Sequence, residues 1–166
     1  MSTFDLAPLQ ERVWQTAEDQ GMHVNLDPLD LRLQTLVRLA LVHTEVMEAD
    51  TSVAPSDTIE EFADTAIRLL ELAWCCGLPL RLALPVPVCR WTMGARTRLH
   101  GAVATITQEV KRHGVTDAVA VLIEDALALC WALAQGVGAD LGQAIVAKDA
   151  HNRTRAYQYG TPGARA

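Results

Sequence analysis

The sequence predicts an all-α protein, a helical bundle of about six helices, and three observations predict it. Half of the 166 residues are hydrophobic while only 5% are aromatic. Leu, Ala and Val must therefore do most of the packing, which favours helix on helix over a β-sandwich. Glycines and prolines fall where helices of ordinary length begin and stop. Two long stretches also resemble each other in the manner of a repeated helical hairpin. The length is that of one domain, enough for a real core and short for two independent ones.

The first helix is expected from about Asp5 to Gln20, with Pro8 in its first turn and Gly21 as its stop. The second starts at Asp27-Pro28, an N-cap followed by proline, and continues to about Asp50. Pro55-Ser56-Asp57 caps the third, about Thr58 to Cys76, which ends at Gly77. Leu78 to Val88 contains Pro79, Pro85 and Pro87 and cannot be a helix interior. The fourth helix spans about Trp91 to His113 and stops at Gly114. Thr116 caps the fifth, which ends at Gly136-Val137-Gly138, and the sixth covers about Ala139 to Ala156.

The internal likeness is specific. Glu61-Phe62-Ala63-Asp64 and an apolar run to Gly77 line up with Leu122-Ile123-Glu124-Asp125 and an apolar run to Gly138. A helix with a Glu-Val pair precedes each, at Glu45-Val46 and Glu109-Val110. The second copy has lost acids, with Arg112 where Glu48 would be and Leu122 where Glu61 would be. The reading is a single domain over 1–160 built of pseudo-duplicated helical hairpins. A first hairpin covers 28–77, a degenerate second one 91–138 and a basic last helix 139–156, with 161–166 as a flexible tail.

Composition excludes several classes. A formal charge of −6 argues against a nucleic-acid partner, since tracking phosphates needs a basic surface. Carboxylates that hold metal ions still allow one nucleotide to bind. Cys75, Cys76, Cys89 and Cys130 show no CxxC spacing and read as small core residues of a reducing compartment. No signal peptide is visible after Met1-Ser2-Thr3-Phe4-Asp5. The most apolar stretch, Ala118 to Ala134, carries Glu124 and Asp125 and is expected to be a buried helix. A cytoplasmic protein without a membrane partner is expected.

Helix two is apolar nearly all round (Leu33, Leu36, Val37, Leu39, Ala40, Leu41, Val42, Val46, Met47), as a helix surrounded by protein is. One narrow stripe breaks the pattern: Gln34, Arg38, Glu45 and Glu48 return near one azimuth. Carboxylates in such a setting are costly unless paired or bound to cations. On helix three, Glu61 and Asp64 lie one turn apart, and Arg68 and Glu71 continue the face. The other face, from Ile59 and Phe62 to Trp74, is expected to be core. Taken alone, that acidic face is what a solvated helix shows. A short connection makes the two helices antiparallel neighbours, so four hard oxygen ligands could share a cleft and suit Mg²⁺ or Mn²⁺ better than zinc. Glu60 points about 100° from Glu61 and is a poorer candidate. His43, at the edge of helix two, reads as a partly satisfied histidine.

Glu45-Val46-Met47-Glu48, twelve residues, then Glu61-Phe62-Ala63-Asp64 resembles the ExxE…ExxD signature of MazG-like all-α NTP pyrophosphohydrolases. That superfamily also includes dimeric dUTPases, dCTP pyrophosphatases and phosphoribosyl-ATP pyrophosphohydrolases. Lys148-Asp149-Ala150-His151-Asn152-Arg153-Thr154-Arg155, with Tyr157 and Gly160 following, is similar to the family's KxxxNxxR segment, and Asp140 to Ile145 leads into it similarly. The likeness covers about Leu29 to Gly77 and Ala139 to Gly160. The intervening Leu78 to Gly138 departs from a minimal member and is similar to the fused second copy of the dimeric dUTPases.

The resemblance implies Mg²⁺-dependent (or Mn²⁺-dependent) hydrolysis of a (deoxy)nucleoside triphosphate to monophosphate and pyrophosphate, for house-cleaning or nucleotide-pool control, by a homodimer. Glu45, Glu48, Glu61 and Asp64 would hold the metal, and Glu45 or Glu48 would orient the water. Lys148 and Arg155 would meet phosphate oxygens, although a basic last turn also complements the helix dipole. Asn152, Gln34 and Arg38 would reach the base or sugar. Trp14, Trp74 and Trp91 are stacking candidates that also suit a core. Two other functions compete: a phosphoribosyl-ATP pyrophosphohydrolase, and a non-catalytic helical module binding nucleotides or a partner.

Overall fold

Six α-helices and one short β-ribbon make up residues 2–21, 30–52, 54–84 and 93–154, the residues that a computed structural model describes. The architecture is the expected all-α bundle. Its helices are α1 (Ala7–Asp19), α2 (Leu31–Thr51), α3 (Pro55–Cys75), α4 (Met93–His113), α5 (Asp117–Gly136) and α6 (Leu141–Thr154). Asp27-Pro28, Trp91, Cys89, Arg155 and the tail lie outside the described residues.

The starts differ from expectation, and at α2 and α6 a side chain caps the helix. Asp5 is not helical: its carboxylate accepts from the Ala7 amide at 3.0 Å just outside α1. The Asp30 carboxylate accepts from the Leu33 amide at 2.9 Å and starts α2. Pro55 opens α3 at its first turn, three residues before the expected start. Asp140 caps α6 by accepting from the Gln143 amide at 3.1 Å. The stops fall at the expected glycines. At Gly77 (φ +66°) and Gly138 (φ +81°) the chain turns left-handed, and the next amide reaches back to Ala73 or Ala134, each at 2.9 Å.

Two strands were not foreseen. β1 (Ser2–Asp5) pairs antiparallel with β2 (Arg81–Leu84), Ser2 opposite Leu84 and Asp5 opposite Arg81. Each is four residues long, too short for an alternating pattern to register, and their pairing is remote in sequence. Buried Gln10 ties this ribbon to the bundle, its amide donating to the Leu78 carbonyl at 3.0 Å and accepting from the Leu80 amide at 3.2 Å.

The core corrects the expected roles of α2 and α3. α3 is the central helix, packed against α1, α2, α5 and α6, and buries Phe62, Ala66, Leu69, Leu70 and Leu72 completely. α2, expected to be surrounded, packs against α3 and α4 and leaves Leu33, Leu41 and Met47 exposed. Trp74, expected in the core, is 38% exposed. An apolar composition fixes how much a helix can bury, but the number of neighbours decides how much it does bury. Among the described residues, no helix is long and apolar enough to cross a membrane. Of the cysteines, Cys130 is buried, while Cys75 and Cys76 are half-buried.

Candidate functional site

The short link between α2 and α3 lays their acidic stripes side by side. Glu45 on α2 and Glu61 and Asp64 on α3 each offer an oxygen within 4.8 Å of the others, and all three are half-buried. Glu61 and Asp64 are not on a wet face, because α6 packs along α3 there. Glu48 lies one turn beyond Glu45 and is exposed. It stays close enough for its charge to act on Glu61, but it stands outside the trio.

Burial first, then the charges of Asp64 and Glu48, pushes the Glu61 carboxyl up from 4.5 to about 7. Its Oε2 is buried and has no hydrogen-bond partner among the described residues. A buried anionic oxygen without a donor is costly, and a cation is one way to satisfy it. The donor set, three carboxylates with no imidazole or thiolate, is hard and fits a hard divalent ion.

Two basic side chains border the trio. The Arg68 guanidinium sits 3.1 Å from Glu45 and 3.3 Å from Glu71. Burial works against its charge, but Glu71 and Glu45 outweigh that and raise it above its ordinary value. Burial likewise raises the Glu71 carboxyl, against the opposing pull of Arg68 and Arg38. On the other side, Lys148 of α6 lies 2.8 Å from Asp64 and also pairs with Glu60. Burial pulls its ammonium down, and the bonds to Asp64 and Glu60 more than reverse this. Asp64 itself is raised, because burial outweighs what Lys148 returns. The two shifts point the same way: the pair steadies the ammonium more than it offsets the cost of burying the carboxylate.

Glu60 was set aside on its angle to Glu61, yet Lys148 draws it into the site. The signal lay in the sequence: Glu60 and Asp64 are four residues apart, neighbours on one helix face that a single cation can bridge. Asp149 was also missed. It is 2% exposed and takes the Arg12 guanidinium at 2.6 Å, the Thr16 hydroxyl at 2.5 Å and Arg153 at 3.4 Å. That network pins α6 to α1 beside Lys148.

No protein-family model matches this chain, and neither curated proteins nor solved structures yield a match.

The remaining candidates are spread along the same grooves. Asn152 is half-buried, one turn past Lys148. Arg38 and Gln34 lie two and three turns before Glu45, roughly 10 Å or more along the axis. Arg38 is buried with its guanidinium 5.1 Å over the Trp14 ring, and Gln34 faces the Cys75 thiol. These two are not gathered with the acids. His43 stacks on His100, with ring centres 5.8 Å apart, and burial followed by that neighbour lowers its pKa. A cavity of about 400 Å³ lies beside Lys148 and Glu60, lined also by Ser56, Ile59, Ala147 and His151 among others, while Glu45, Glu61 and Asp64 do not line it. A larger one of about 780 Å³ opens on a different face of α6, around Arg12 and Trp131, and none of the predicted site residues lines it. Charged chemistry, not volume, singles out the smaller cavity.

Proposed function

We propose that this chain is a MazG-like, divalent-metal-dependent pyrophosphohydrolase that converts a (deoxy)nucleoside triphosphate into its monophosphate and pyrophosphate. The observation that carries this reading is the trio of Glu45, Glu61 and Asp64, three carboxylates from antiparallel helices within 4.8 Å, one with a buried oxygen lacking a hydrogen bond among the described residues. These residues would hold Mg²⁺ or Mn²⁺, with Glu48 at the open edge. A cation held by these residues would supply charge to offset the triphosphate and would lower the pKa of an attacking water. Lys148, on the wall of the adjoining cavity, is suited to phosphate oxygens, Asn152 to the sugar or base, and Arg155 to a second phosphate contact. Arg68 orients Glu45.

Incubation with canonical NTPs and dNTPs, with Mg²⁺ or Mn²⁺, tests this by scoring pyrophosphate against orthophosphate. Pyrophosphate is the expected product, and chelation of the metal should stop its release. Orthophosphate as sole product would sink the assignment. A second reading, a non-catalytic helical module, draws on Arg68 and Lys148, which already balance Glu45 and Asp64. Metal-dependent nucleotide binding without turnover would favour it. We also propose a homodimer, supported by the apolar residues Leu33, Leu41 and Met47 exposed along α2. Sedimentation at monomer mass, at micromolar concentration, would refute that.

A further inference from the structure

We infer that Lys148 is the resident counter-ion of the metal-free site, displaced from Asp64 by a divalent cation into the adjoining cavity, where it becomes available to an anionic ligand. The inference rests on the metal-binding reading above. Lys148 is 8% exposed, yet its ammonium sits 2.8 Å from Asp64 and pairs with Glu60. Asp64 is also one of the three carboxylates that meet within 4.8 Å. An ammonium and a divalent ion therefore compete for the same carboxylate, and like charges at contact distance repel strongly where burial limits screening.

The geometry also says what moves. α6 is held at the next residue, where Asp149 takes Arg12, Thr16 and Arg153, so the helix stays and the lysine stem swings. That stem is long and freely rotating, and Lys148 already lines the cavity of about 400 Å³ with Ile59, Ala144, Ala147 and His151. Freed there, the ammonium has left Asp64 and stays beside Glu60, with Ser56 and His151 as the other polar groups of the wall. Cation and anion binding are then coupled, each favouring the other.

The chain has two lysines, Lys111 and Lys148, and Lys111 is exposed, which provides an internal control. Amine labelling read by mass spectrometry should modify Lys111 quickly and Lys148 slowly in metal-free protein. Saturating Mn²⁺ should speed Lys148 roughly 5-fold or more, on the scale of ordinary site coupling, and leave Lys111 unchanged. Calorimetry on Lys148→Met should give tighter Mn²⁺ binding by a similar factor. If wild type binds Mn²⁺ but Lys148 labelling stays slow, or if Lys148→Met binds Mn²⁺ no more tightly, the counter-ion role is overturned while the metal site stands. If wild type binds no Mn²⁺, both fall.

Discussion

The α2–α3 and α4–α5 hairpins close with the same left-handed turn, at Gly77 and Gly138, and bury matching side chains, Phe62 and Ile123. They part at the acids. The first gathers Glu45, Glu61 and Asp64 within 4.8 Å. In the second, Leu122 stands at the Glu61 position, Asp125 is exposed and Glu109 is half-buried, and no comparable group forms among the described residues. The decisive difference is α6, which lies along α3 and brings Lys148 to its acidic face. A row of carboxylates that would be solvated on a lone helix is half-buried once a third element covers it. One oxygen is left without a donor among the described residues.

The comparison first predicts that core positions are equivalent. Phe62→Ala should cost about 3–5 kcal/mol and Ile123→Ala about 2–5 kcal/mol, read as the midpoint of thermal or urea unfolding. An Ile123→Ala variant that stays as stable as wild type would break the symmetry at its simplest level.

Function should divide the hairpins where stability does not. Asp64→Asn is expected to lower pyrophosphate release by at least about 100-fold, the upper range even for outer partners of metal sites, with α-helical circular dichroism retained. Glu48→Gln should abolish release as well if, as proposed, this exposed fourth acid completes a metal-binding set. Asp125→Asn, at the matching position, should stay within about 2-fold of wild type, as surface substitutions do. Equal losses at Asp64 and Asp125 would erase the distinction between the two hairpins.

How much of this was legible in the sequence follows from range. Gly77, Gly114 and Gly138 mark helix ends through local backbone geometry, and the Glu45, Glu61 and Asp64 spacings survive because helical periodicity carries them. What could not be read was which helix lies between which others. The apolar surface of α2 suggested enclosure, but Leu41 and Met47 are exposed, while α3, read as half wet, is the centre. The placing of Glu60 beside Asp64 on one helix face is local, but its partner Lys148 lies 88 residues away. The Arg12 partner of Asp149 lies 137 residues away, and no local pattern points that far. The β-ribbon failed to register for the same reason.

The Glu61 position also sets a pH signature that Leu122 cannot share. Its carboxyl rises from 4.5 to about 7, so the folded protein holds this proton more tightly than the unfolded chain. The associated stability is complete below about pH 4.5 and is lost as pH climbs through about 7. Metal-free protein should lose on the order of a few degrees in Tm across that window. Mg²⁺ should reduce the loss by favouring the ionised form, and Glu61→Gln should flatten it. A Tm that climbs from pH 5 to 7 equally in wild type and Glu61→Gln would show that other groups control the profile.

The smallest effect concerns how helices in the two hairpins begin. Asp30 accepts the Leu33 amide at 2.9 Å, so Asp30→Ala removes a working cap from α2 and should cost about 1 kcal/mol. Thr116 occupies the same kind of position before α5, with an extended backbone, but makes no side-chain cap bond, and its hydroxyl is buried without a hydrogen-bond partner among the described residues. Thr116→Ala removes a polar group that gains nothing from burial, and it should leave the urea midpoint unchanged or raise it slightly. Asp and Thr are both residue types that cap helices well, and the sequence singles out Thr116 but not Asp30, so the pair separates identity from geometry. A loss at Thr116 as large as at Asp30 would mean that its hydroxyl does reach an amide in solution.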